Sequence, residues 1–486
     1  MTTCLPMSRI AALAVWMILA FPAVALSAGP EIFLQEEPET YLIIDKLQGM
    51  GFLPGLMTDD RGLEEQEVAA EANKVDGTGD RFADGMLRFL TLGAARRYDF
   101  RLRVGFEDSG DGGVPPNAQG WPVAEDGGIR AGGFFRASPA DWISLQARGD
   151  TLLEFSGDDT GRVEETSIRV GWPQATLEAG RFSLWWGPGR HGALIFTTNA
   201  EPLWGVRIRN PRPIPLGGWF RFLGLFQYDF FISQLNDDNR PVPDSMLSGM
   251  RLAVKPAPWL EIGASRSMQY GGEGRDNGFS AWWEAFKGTK GNDPGNEDNQ
   301  LGGFDISVKI PSRVQPVCLY LEMAGEDQAE GGNIIPLPSK WAILSGLFLP
   351  TIGRNARWDF RVEFATNQIQ GNGPSWYVHP DYPHEYYGQI LGHHMGTDAK
   401  DLFFQAHYFL LPSSYLETNV DFTQRDFPGT EKEKTWRVSG AIIAWLTKNF
   451  RAEGRLAYKS ISNENGVAGK DETDAVFQAA LSYQYR

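Results

Sequence analysis

Residues 183 to 192, S-L-W-W-G-P-G-R-H-G, set two adjacent indoles, Trp185 and Trp186, before a Gly-Pro-Gly turn and then Arg190 and His191. Aromatics beside a cation and an imidazole are the material of a catalytic pocket, a saccharide platform or an inert packed corner. A second stretch, H-P-D-Y-P-H-E-Y-Y-G-Q-I-L-G-H-H, holds His379, His384, His393 and His394, four of the six histidines, with Asp381 and Glu385 among them. Imidazole and carboxylate at close spacing can ligate zinc or another transition metal. The run lacks the H-E-x-x-H spacing that sets two imidazoles on one helix face, and it reads as strand and loop. Hydrogen bonding between loops is the expected role, with no metal and no cofactor. No G-x-S-x-G elbow occurs, and Cys318 in P-V-C-L-Y-L has no histidine nearby in sequence, so it reads as a small apolar filler and no enzyme is expected.

The elements that must position these residues are strands. In R-W-D-F-R-V-E-F-A, Trp358, Phe360, Val362 and Phe364 share one face and Arg357, Asp359, Arg361 and Glu363 the other. The same period of two runs through Tyr98 to Glu107, Phe220 to Phe230, Leu416 to Thr423 and the last strand from Phe477 to Tyr485. One face apolar and aromatic, the other charged, fits strands between lipid and a wet lumen, with aromatics at the membrane interfaces. A soluble sandwich also alternates, but it rarely sets a charged face against an aromatic one along so much chain. The roughly 400 residues from 88 onward, at about 20 to 24 residues per strand and connection, make about 16 to 20 strands. The expected class is therefore all-β transmembrane, a large antiparallel outer-membrane β-barrel. A porin or channel is the alternative that the alternation predicts equally well.

Composition agrees. Aromatics make up 12% of the 486 residues, with 16 tryptophans, although mean hydropathy is only −0.31. The net charge of −16 and the lack of a basic run exclude nucleic acid as a partner. The opening segment has Arg9, an apolar run from Ile10 to Ala25 and small residues to Ala28, the pattern of a cleaved secretory signal over residues 1–28. Residues 29–87 read as helical: Ile43, Ile44, Leu47 and Met50 recur at helical spacing, and L-E-E-Q-E-V-A-A-E-A-N-K runs from acidic to basic. A periplasmic helical domain that could plug the lumen is expected there, ahead of a barrel over 88–486.

Three segments in order carry a resemblance: G-R-F-S-L-W-W-G-P-G-R-H-G-A-L-I-F-T-T-N-A-E-P, L-Y-L-E-M-A-G-E-D, and H-P-D-Y-P-H-E-Y-Y-G-Q-I-L-G-H-H-M-G-T-D-A-K-D. Behind a signal and a helical piece, they resemble the Wzi family of outer-membrane capsule-assembly proteins. In the helical piece Gly62 stands where that family has proline. The resemblance implies a barrel of about 18 strands in the Gram-negative outer membrane that binds capsular or other exported polysaccharide without catalysis.

Saccharide binding needs flat aromatic faces beside polar or charged groups. The candidates are Trp282 and Trp283 in a long Gly- and Asn-rich connection, Trp376 and Tyr377, Tyr386 and Tyr387, with Arg190 as a cation. Gly187, Pro188 and Gly189 are expected to form a loop base, with Arg190 and His191 reaching acidic groups of the wall. The expected partners are a capsular polysaccharide or exopolysaccharide and outer-membrane lipid, and the chain is expected to be monomeric.

Overall fold

The computed structural model describes residues 32, 37–92, 97–172, 174–288, 298–328, 338–353, 356–368 and 376–485. The signal expected over residues 1–28 lies outside them. Among the described residues no helix is long and apolar enough to cross a membrane.

Eighteen strands, from Tyr98–Asp108 to Glu472–Tyr485, form a closed antiparallel barrel. The sheet has a nineteenth strand, Ile214–Pro215, a two-residue piece paired with Leu225 and Phe226. The first and last strands close the barrel, in register from Phe100 opposite Tyr485 to Asp108 opposite Phe477. Closure pairs the backbone groups between strands and leaves no open edge, as hydrocarbon requires.

The alternation builds the wall. On Tyr98–Asp108, Tyr98, Leu102 and Val104 are exposed outward while Asp99, Arg101 and Glu107 are buried inward. On Trp358–Thr366, Trp358 and Phe364 face out and Asp359, Arg361 and Glu363 face in. The rings of Phe100 and Tyr485 stack across the closing seam at 5.5 Å. The lumen differs from the wet interior expected of so charged a face, because many of its charges are buried in ion pairs. Arg207 binds Asp229 at 2.9 Å and Arg251 binds Asp305 at 2.6 Å. Carboxylates and loops folded into the barrel supply partners that water would otherwise provide, so a charged face becomes a packed one.

Among the described residues three helices precede the barrel: α1 (Pro38–Gly49), α2 (Glu65–Ala72) and α3 (Arg81–Thr91). Pro38 suits the first turn of α1, where its missing N–H would have no helical partner. The stripe of Ile43, Ile44 and Leu47 is fully buried, as its spacing predicts. The sequence pattern did not announce α3. Asp80 caps it by accepting from the Phe82 N–H at 2.7 Å, and the helix continues past residue 87, so the first strand starts only at Tyr98. Met86, Leu87 and Leu90 complete one apolar cluster with α1, α2 and the wall residues Phe409, Tyr415 and Ile443.

Short connections such as Ala140/Ile143, Trp172/Ala175 and Leu411/Ser414 lie at one end of the barrel. The helices occupy that end. Lys46 Nζ donates to the Pro350 and Trp358 carbonyls at 2.6 and 3.0 Å and to Asp359 at 3.0 Å. Burial pushes the Lys46 ammonium below its ordinary value, against the pull of Asp359. Gly49 lets α1 approach the wall, since a Cβ there would fall 2.8 Å from the Cys318 Sγ and from Pro350. The long connections, including 183–202 and 367–398, leave from the other end.

Candidate functional site

The helical region enters the barrel as a string of carboxylates. Glu64 pairs with Arg169 at 2.9 Å, Glu65 with Arg136 at 2.7 Å, Glu39 with Arg451 at 3.2 Å, and Glu37 with Arg101. Asp45 accepts from Arg61 at 2.9 Å and from Arg190 at 2.7 and 3.0 Å. Glu261 of the wall accepts the Thr58 and Asp59 N–H groups at 3.1 and 3.0 Å.

The W-W-G-P-G-R-H-G loop descends from the opposite end to meet this segment. The Arg61 N–H donates to the Trp185 carbonyl at 3.1 Å and the Gly187 N–H to the Asp59 carbonyl at 2.8 Å. Gly187 holds φ +137, a backbone state that favours glycine, and an added Cβ would press on Glu322. Trp186 is buried edge-on to Phe196 at 5.0 Å, and its indole N–H donates to Asp229 at 3.2 Å. The Arg190 and His191 N–H groups donate to the two carboxylate oxygens of Glu363 at 2.7 and 3.0 Å. Arg190 meets the wall only through its backbone N–H; its guanidinium is committed to Asp45 of α1 rather than to a wall carboxylate, with the side chain 12% exposed, so it does not stand open as the saccharide cation expected from the sequence.

The histidine-rich segment lies over this loop. The Tyr377 hydroxyl donates to the Leu194 carbonyl at 2.6 Å, Thr197 N–H donates to the Leu391 carbonyl at 2.8 Å, and Asn199 Nδ2 donates to the Ile390 carbonyl at 3.0 Å. His384 Nε2 is 2.7 Å from the Ile195 carbonyl, so that nitrogen carries the proton and Nδ1 receives the Gln269 amide at 3.3 Å. Burial pushes the His384 imidazole down to about 4. The expected role of these histidines in loop-to-loop bonding holds for His384. Together the helices, the 183–202 loop and the 376–398 segment fill the barrel from both ends.

The aromatic candidates separate into two groups. Trp376 and Tyr386 are each 1% exposed and Tyr377 is buried, so no ring face among the three is open to a sugar. Their size and flatness serve the packing of the inward loops, which is the physical reason that they cannot also form a platform. Tyr387 is 45% exposed at the tip of the Glu385–Tyr386/Gln389–Ile390 hairpin. Tyr387 and Gly388 both have positive φ, the backbone of a tight two-residue turn, and the Tyr387 hydroxyl donates to Asn236. Trp282 and Trp283 lie on a helix that the Gly- and Asn-rich context concealed, α4 (Phe279–Lys287). Phe279, Trp282, Trp283 and Phe286 recur at helical spacing. Trp282 stacks with Phe279 at 5.5 Å and with Phe286 at 5.4 Å, and Trp283 stacks with Phe286 at 5.3 Å. The Arg266 guanidinium lies 5.3 Å over the Phe286 ring. Ala285 and Trp282 anchor the ladder on Met246 and Tyr270, while Trp283 is 44% exposed and Phe279 is exposed. Phe279 and Phe286 escaped the sequence reading; their spacing from the Trp pair was the available signal.

A family model described as capsule assembly protein Wzi matches residues 99–476. A Klebsiella pneumoniae protein described as an uncharacterized 55.8 kDa protein in the cps region is 32% identical over 289 residues, 59% of this chain and 55% of that protein. The match thus spans about half the length of this curated relative. Among solved structures, Escherichia coli Wzi, described as an outer membrane protein involved in group 1 capsule assembly and a carbohydrate-binding β-barrel, superposes with a TM-score of 0.75 at 23% identity. That superposition covers 91% of this chain and 97% of the other. OpdQ of Pseudomonas aeruginosa gives a TM-score of 0.47 at 12% identity, over 80% of this chain and 98% of its own. With the family match running from the first strand into the last, the chain belongs to the capsule assembly protein Wzi family.

Proposed function

We propose that this chain is a non-enzymatic outer-membrane barrel that binds exported polysaccharide at its long-loop end and retains it at the cell surface. The observation that carries the reading is the filled lumen. Helices from one end and loops from the other meet through backbone hydrogen bonds between Asp59–Arg61 and Trp185–Gly187, where a solute pore needs open space. Function then falls to the outer rim. There the α4 ladder offers stacked rings with an open Trp283 face, and Tyr387 stands at a hairpin tip. Sugar C–H groups stack on such rings while neighbouring polar groups hydrogen-bond the hydroxyls. The helical region at the short-turn end faces the periplasm in this reading, because outer-membrane barrels keep their short turns on that side.

The test is capsule or exopolysaccharide retention on cells whose own copy is replaced by Trp282→Ala plus Trp283→Ala, with barrel levels in the outer membrane matched. A several-fold loss of retained polysaccharide is expected. Unchanged retention would remove the ladder as the binding surface, and a large steady conductance of the purified barrel in planar bilayers would favour the channel reading instead.

A further inference from the structure

A buried cluster of histidines and aspartates lies apart from the proposed saccharide surface. His191, from the loop after the Trp pair, and His394, from the histidine-rich segment, converge on Asp401 of the Ala399–Leu411 strand and Asp421 of the Ser414–Arg425 strand. One ligand atom from each of the four lies within 4.8 Å of the others. His191 Nε2 is 3.5 Å from Asp421 and 3.6 Å from Asp401, and His394 Nε2 is 3.8 Å from Asp401. These separations are too long for good hydrogen bonds. They are near the distance of about 3.4 Å between ligand atoms around a tetrahedral ion with bonds of about 2.0–2.1 Å.

A second observation points the same way. The His394 side chain is 5% exposed, yet neither of its ring nitrogens makes a hydrogen bond, although a neutral imidazole always carries one donor and one acceptor. His191 Nε2 and one Asp421 carboxylate oxygen are likewise buried without a hydrogen bond. Buried polar atoms left in this state are costly, and three of them, one each from His191, His394 and Asp421, can face a common point beside an Asp401 oxygen.

We propose that His191, His394, Asp401 and Asp421 bind a divalent transition-metal ion of the zinc class. Two neutral imidazoles and two carboxylates give the ion a net-neutral site, which suits burial. The donor set favours zinc over calcium or magnesium, which call for all-oxygen shells, and it lacks the thiolate or thioether that selects Cu(I). Outer partners already orient the ligands. Thr423 Oγ1 donates to Asp401 at 2.9 Å, Arg437 donates to Asp421 at 2.9 Å, and the His191 ring lies flat on Phe403 at 3.7 Å. The four ligands come from two inward loops and two adjacent wall strands, so the ion would staple the loops to the wall. The motif does not show in sequence because His191 and His394 are about 200 residues apart and the aspartates belong to separate strands.

The full chain, folded in detergent after chelation, should bind one equivalent of Co2+ and develop visible d–d bands of tetrahedral intensity that Zn2+ bleaches. Elemental analysis of protein purified without chelator should find the metal. His394→Gln and Asp401→Asn, both close in volume to the native residues, should abolish the bands, while His379→Gln should keep them. Heat-dependent gel migration reports whether each variant has folded. Absence of bands in the folded wild-type chain, or bands that persist in the folded His394→Gln/Asp401→Asn double variant, would overturn the site. If neither single variant folds, the wild-type cobalt spectrum and metal content still decide.

Discussion

His384 shows how one side chain couples the filled lumen to pH. Its imidazole is buried neutral with a pKa of about 4, whereas the unfolded chain would titrate it near 6.5. Between these values the unfolded state binds the extra proton. Stability contributed by this group is therefore complete above about pH 6.5 and is lost as pH falls toward 4, at up to about 1.4 kcal/mol per pH unit. Denaturant midpoints in micelles, measured from pH 4.5 to 7.5, should slope more steeply for the native chain than for His384→Gln. Parallel curves would mean that the histidine does not carry the dependence. Lys46 makes the complementary case. Lys46→Met leaves Asp359 buried with His407 as its remaining charge partner and should cost about 3 kcal/mol. Adding Asp359→Asn should recover part of that loss in the same unfolding measurement.

At the scale of elements, legibility follows the distance over which the deciding contacts act. The wall strands were readable because alternation is local: Asp359, Arg361 and Glu363 differ in environment from Trp358 and Phe364 at every step. Helix α1 was readable for the same reason, from Ile43, Ile44 and Leu47. Helix α3 was missed although Asp80 and its apolar spacing were present, and α4 was missed because glycines and asparagines around it read as loop. No local pattern could tell that Trp376, Tyr377 and Tyr386 would turn inward. Tyr377 is held by Leu194 and Glu326, and all three aromatics pack in a cluster with residues far away in sequence such as Phe231 and Leu344. Asp80 offers a test of α3: it caps the helix and also accepts from the Ala356 N–H at 3.1 Å. Asp80→Ala should cost about 1 kcal/mol, read as a lower midpoint and faster proteolysis between α3 and the first strand. An unchanged midpoint would show that the cap is dispensable.

For the whole molecule, the eighteen-strand closure and the family were legible from repeated alternation and three motifs, whereas the packed lumen was not. Charged strand faces look the same whether they meet water or carboxylates from elsewhere in the chain. The consequence is measurable. The native barrel in planar bilayers should pass little steady current, and replacing residues 376–398 with a short Gly/Ser linker should raise it, since that segment overlies the 183–202 loop. Equal currents from both would place the seal in the helices and the 183–202 loop alone.

The acidic N-terminal region carries one further meaning. Glu37, Glu39, Glu64 and Glu65 each meet a wall arginine, at Arg101, Arg451, Arg169 and Arg136. The chain thus supplies its own tethered counter-ion. A barrel that closed before this segment entered would enclose a more cationic tube, open to the phosphates of lipopolysaccharide or to anionic polymer in transit. Entry of the segment and closure of the Phe100–Tyr485 seam are therefore expected to be coupled steps of assembly, the first neutralising what the second encloses.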